Sequence, residues 1–118
     1  VPFVTEAHED HVTLDLILAR ALERATLPAD AMVFGYEVWS LVPANVVHDV
    51  TSLVPELENA LFLYETAMRI DDFVHFCADR ALYHAWTYEG RPAYLEAFHA
   101  VPASDFRSLL MTVKPALR

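Results

Sequence analysis

Only two glycines, Gly35 and Gly90, punctuate the 118 residues, and this scarcity constrains the fold more than any other feature. Glycine supplies the positive-φ corners on which many tight turns depend. With two of them, the chain is expected to build long elements. It is also 55% apolar, with a mean hydropathy of +0.25. That is high for a free-standing domain, whose outside is normally covered by charged residues. The length fits one small domain with a real but modest core. Composition supports two readings equally: a segment whose apolar faces are completed by other protein, or a compact domain with a generous core.

The formal net charge of −9 argues against nucleic acid as a partner, because the eight Lys and Arg are scattered and form no stripe to neutralise phosphates. The same scatter argues against an anionic membrane surface. No apolar run approaches spanning length, so no transmembrane segment is expected, and the charged N-terminal stretch does not read as a signal peptide. Cys77 is the only cysteine, which excludes an internal disulfide and points to a reducing, cytoplasmic setting. Its context, Phe76-Cys77-Ala78, reads as an inert core thiol.

Periodicity predicts a first helix from about His11 to Ala25. Its buried stripe is Leu14, Ile17, Leu18, Ala21, Leu22 and Ala25, with Asp10 as N-cap and Pro28 closing the segment. Met32 to Trp39 is apolar almost throughout and suits a strand covered on both faces. Val46 to Val50 reads as a shorter strand. Thr51 or Ser52 can cap the next helix, with Pro55 in its first turn and a stripe of Leu57, Ala60, Leu61, Tyr64 and Met68. Asp71 or Asp72 would cap a helix from Phe73 to about Tyr88, ended by Gly90-Arg91-Pro92. An irregular segment and a final helix from Ser104 to Met111 complete the chain. Two strands make no stable covered sheet by themselves, so further strands are implied.

The chemistry gathers at His8-Glu9-Asp10-His11. Imidazole binds zinc readily, and residues at i and i+3 can point into one pocket from a helical turn. Catalytic zinc takes three protein ligands plus water, of which this pair supplies at most two. His48, His75, His84 and His99 read as hydrogen-bonded, partly buried histidines rather than ligands. Among the aromatics, Trp86 reads as core. For Trp39, beside the turn Ser40-Leu41-Val42-Pro43, core packing and stacking on a sugar stand equal.

Four pieces in order resemble the C-terminal part of the PIG-L/LmbE family of zinc-dependent N-acetylglucosaminyl deacetylases. His8-Glu9-Asp10-His11 resembles the family's H-P-D-H. Phe34-Gly35-Tyr36-Glu37-Val38-Trp39 resembles the strand that reads Y-E-x-W. Asp49-Val50-Thr51 resembles the D-I-T that opens the next helix, and Tyr94-Leu95-Glu96-Ala97-Phe98 the closing Y-A-E-x-F. The resemblance covers nearly the whole chain. Glu9 departs from the usual proline, and Glu65-Thr66-Ala67 from the usual S-Q.

The resemblance implies a Rossmann-like α/β three-layer sandwich, of which this chain is the C-terminal segment. It implies Zn²⁺ as cofactor and hydrolysis of the N-acetyl group of an amino-sugar glycoconjugate. Carried over by residue, His11 becomes a zinc ligand. His8 becomes the catalytic residue over the reacting carbonyl, which as an imidazolium would stabilise the oxyanion and protonate the leaving amine. Asp10 would orient an imidazole from behind, besides capping the helix, and Trp39 is the candidate for substrate binding. The family's remaining ligands and its carboxylate base come from an A-H-P-D-D motif that this sequence does not contain. The expected partners are therefore the amino-sugar substrate and an N-terminal segment of the same enzyme, with room for a homo-oligomer. The alternatives are a catalytically degenerate sugar-binding member of the fold, and a small helical interaction domain with incidental histidines.

Overall fold

The computed structural model describes residues 1–64 and 73–117. It is a small α/β structure: among the described residues, four α-helices accompany a three-stranded antiparallel sheet. In chain order the elements are α1 (Glu9–Leu22), β1 (Met32–Tyr36), β2 (Val46–Asp49), α2 (Val54–Phe62), α3 (Phe73–Tyr88), β3 (Leu95–Pro102) and α4 (Phe106–Val113). A 3-10 turn, Thr51–Leu53, leads into α2. The strand order is β1-β3-β2. Contacts divide the chain into two compact units, Val1–Val46 with Phe98–Arg118, and Val47–Ala97.

In the first unit β1 pairs antiparallel with β3, Met32 opposite Pro102 and Tyr36 opposite Phe98. On its other edge β1 receives the first residues of the chain. Pro2 bridges Tyr36 in parallel, Phe3 donates its amide to the Tyr36 carbonyl at 2.8 Å, and Tyr36 donates to Val1 at 2.9 Å. Extended segment, α1 and β1 thus form a small parallel crossover, the connection that an intervening helix makes possible. Gly35 permits the close approach: a Cβ there would stand 2.6 Å from Phe3 Cδ2 and 3.3 Å from Phe3 Cα. The core of this unit is Phe3, Val4, Ala19, Val33, Val42, Ala103, Phe106 and Leu110. Helix α4 packs on α1, and Arg107 meets Glu23 at 2.7 Å.

In the second unit α2 packs on α3, and Ala85, Ala93 and Leu95 form a small buried cluster against Val47. Asp49 Oδ1 accepts the Thr51 amide at 2.9 Å and Oδ2 takes Arg91 at 2.8 Å. These hydrogen bonds from Thr51 and Arg91 draw the Asp49 carboxyl down to about 2. Helix α3 ends at Gly90, whose φ of 64° and amide bond to the Ala85 carbonyl make a left-handed cap.

Several expectations are corrected. Helix α1 starts at Glu9, and His8 rather than Asp10 is its N-cap. Its buried residues are Asp15 and Ala19, whereas Leu14 and Ile17 of the expected stripe are exposed. β1 stops at Tyr36 and alternates between buried and exposed positions, so one of its faces is open. The segment expected to be irregular forms β3, which supplies the third strand. Trp86, Leu57 and Tyr64 are exposed, not core. Helix α3, described from Phe73, ends at Tyr88 as expected, while α4 begins two residues later than the spacing suggested. Met68, the caps at Asp71 or Asp72, and Glu65-Thr66-Ala67 lie outside the described residues.

Candidate functional site

The parallel pair places its two C-terminal ends side by side, and in parallel α/β arrangements ligands gather at such ends. Beyond the first end come Glu6, His8 and His11. Beyond the second comes the turn carrying Trp39. The site is built where these two chain segments leave the sheet.

His8 caps α1 through its ring: Nδ1 accepts the Asp10 amide at 3.2 Å. Capping satisfies one of the free N–H groups of the first turn and fixes the ring at the helix entrance. One turn later, His11 lies with its ring centroid 5.0 Å from that of His8. The two imidazoles therefore share one place, as their spacing suggested. Their surroundings differ. The His8 side chain is 53% exposed and that of His11 only 21%. His11 Nδ1 is buried and makes no hydrogen bond within the described structure; the nearest acidic oxygen is Glu6 Oε2, at 3.7 Å.

Glu6, only 2% exposed, ties the site together. Its Oε1 accepts three consecutive amides, from Val38 at 3.1 Å, Trp39 at 2.8 Å and Ser40 at 2.8 Å, and the Ser40 hydroxyl at 3.0 Å. Burial alone would raise this carboxyl, but the four hydrogen bonds outweigh it and hold Glu6 below its ordinary value, hence ionised. Glu37 fastens the other end of the same turn by accepting the Val42 amide at 2.7 Å. Lys114, just past α4, donates to the Glu6 carbonyl.

Asp15 lies one helical turn beyond His11 and is wholly buried, with both carboxyl oxygens lacking a hydrogen-bond partner among the described residues. Burial raises its carboxyl to about 6, against the pull of Lys114, the Val1 ammonium and His11. Neither Glu6 nor Asp15 was foreseen. For Asp15 the signal was present: it stands four residues after His11 and four before Ala19, on the face that α1 buries. Glu6 left no local sign, since its partners lie more than thirty residues away.

Of the other foreseen residues, Asp10 is 90% exposed at its side chain and approaches His8, with Oδ2 3.8 Å from Nδ1. Trp39 is 56% exposed, so of its two readings the core one is excluded. His99 is a hydrogen-bonded histidine, its Nδ1 2.7 Å from the Pro43 carbonyl. Cys77 is half-buried, and burial pushes its thiol up, which keeps it a poor nucleophile.

A catalytic zinc asks for three protein ligands. The His11 imidazole suits one of them through Nε2, since its Nδ1 lies 3.7 Å from the Glu6 carboxylate. Among the described residues, however, no three His, Cys, Asp or Glu side chains are grouped to hold a metal ion. No described helix is long and apolar enough to cross a membrane. Comparison of the chain with models of protein families, with curated proteins and with solved structures returned no match.

Proposed function

We propose that His8 and His11 form the donor-and-ligand half of a zinc-dependent amidohydrolase site that removes the N-acetyl group from an amino-sugar glycoconjugate. The observation that carries this reading is the pair itself. Two rings 5.0 Å apart stand at a helix entrance beside the C-terminal ends of a parallel pair, one half-exposed and the other more sheltered, with the Glu6 carboxylate 3.7 Å from its Nδ1. That inequality fits a division of labour, with the sheltered His11 holding metal and the open His8 meeting substrate. The remaining ligands and the base would come from an H-P-D-D segment, in keeping with the resemblance to PIG-L/LmbE deacetylases.

Zinc, when bound, polarises a carbonyl and lowers the pKa of its water. What this chain adds is placement. His8, fixed by its cap, offers an N–H to an oxyanion forming beside it. Glu6 keeps the Trp39 turn closed by its four hydrogen bonds, and the exposed indole that the turn carries would be a face for a sugar ring.

The test is release of acetate from a simple N-acetylglucosaminide by the full-length polypeptide. Turnover should vanish with a chelator and return with zinc. His8→Ala should lower it about 10²–10⁴-fold. Turnover unaffected by chelation or by His8→Ala would overturn the proposal. Saturable binding of the glucosaminide without acetate release would assign the site to the sugar-binding role instead.

A further inference from the structure

We propose that His8 and His11 rest in opposite tautomers, and that Glu6 is the positioning residue that sets the tautomer of His11. A neutral imidazole carries one N–H and one lone pair, and the neighbour of one nitrogen decides what the other presents. His8 Nδ1 accepts the Asp10 amide at 3.2 Å, so its lone pair is there and its proton is on Nε2. The carboxylate of Asp10 stands 3.8 Å from the same nitrogen and favours the reverse, but it is 90% exposed and screened by water. The backbone donor prevails.

His11 meets the opposite neighbour. Its buried Nδ1 has no hydrogen-bond donor among the described residues, and the nearest acidic oxygen is Oε2 of ionised, buried Glu6 at 3.7 Å. That separation is too long for a hydrogen bond. In a sheltered site it is still short enough for the sign of the interaction to decide: a lone pair towards the carboxylate repels, an N–H attracts. His11 therefore carries its proton on Nδ1 and presents the Nε2 lone pair. Lys114 approaches through the Glu6 carbonyl and leaves Oε2 facing the ring.

The two rings thus offer different chemistry from neighbouring positions: His8 an N–H, His11 an electron pair. A ligating histidine commonly gives its other nitrogen to a carboxylate in this way. The roles of ligand and donor rest on the zinc reading above, but the tautomers do not, and they are measured on the metal-free chain.

Long-range ¹H–¹⁵N correlation at about pH 8.5, above the ordinary imidazole range, reads them directly, with His8→Ala and His11→Ala for assignment. The expected result is a pyrrole-like Nδ1 for His11 and a pyrrole-like Nε2 for His8. In Glu6→Gln the amide oxygen can still take the amides of residues 38–40, which turns its NH₂ towards His11. The Nδ1–H form should then fall from majority to minority, with His8 unchanged. A wild-type His11 with a pyridine-like Nδ1 overturns the inference, as does a folded Glu6→Gln chain with unaltered His11 signals. Should that variant not fold, the wild-type spectrum alone decides. Full zinc content in His11→Ala would instead overturn the proposed function and leave the tautomers standing.

Discussion

Asp15→Asn should make this protein more stable at neutral pH and leave it nearly unchanged in acid. The side chain is wholly buried, and both of its oxygens lack a hydrogen-bond partner among the described residues. Its carboxyl moves from an ordinary 3.8 to about 6 on folding, with burial the first cause. An acid whose folded value is raised binds more protons folded than unfolded between those two limits. Stability therefore falls as pH rises through that window, and the whole penalty is present above about 6. The gap corresponds to about 3 kcal/mol. Asparagine has nearly the same shape and cannot ionise, so it removes that penalty while leaving a similar polar group buried. Urea unfolding of both forms at pH 4 and pH 7.5 measures the difference. The expected advantage of the variant is about 2–3 kcal/mol at pH 7.5, shrinking to within about 0.5 kcal/mol at pH 4. Equal differences at the two pH values, or a less stable variant at pH 7.5, would refute the claim that Asp15 is buried against its own charge.

Other outcomes follow from the same geometry. Gly35→Ala forces a Cβ to within 2.6 Å of the Phe3 ring and should cost about 1–3 kcal/mol, read by thermal unfolding. Glu6→Ala leaves three consecutive amides without their acceptor and should cost about 3–5 kcal/mol, with faster hydrogen exchange at residues 38–40. The Glu6 carboxyl lies below its ordinary 4.5, so its contribution is present above that pH and lost as pH falls through the folded value. The acid limb of the wild-type stability curve should accordingly flatten in Glu6→Gln. Leu110→Ala, at a position with no exposure, should cost about 2–5 kcal/mol in the same unfolding assay.

How much of this was legible in the sequence depended on the distance over which each residue finds its partners. The end of helix α3 at Tyr88 was readable because the Gly90 stop is a local signal. β3 was missed for the opposite reason. Leu95-Glu96-Ala97-Phe98-His99-Ala100 mixes small residues into a weak alternation, and its strand partners are distant: residues 98–102 pair with β1, 62 to 70 residues earlier, and β2 lies on the other side. The face of α1 was misjudged because apolar periodicity favoured Leu14 and Ile17, whereas the helix buries Asp15 and Ala19. An acid on a buried face runs against the usual rule, and such exceptions mark sites more often than cores. The proximity of His8 and His11 was readable from three-residue spacing. Their unequal exposure, 53% against 21% at the side chain, was not.

The zinc content of the full-length polypeptide, compared between His8→Ala and His11→Ala, tests the central division of roles most directly. The account predicts that His11→Ala loses most of the metal and His8→Ala retains it. Equal retention or equal loss in the two variants would contradict it.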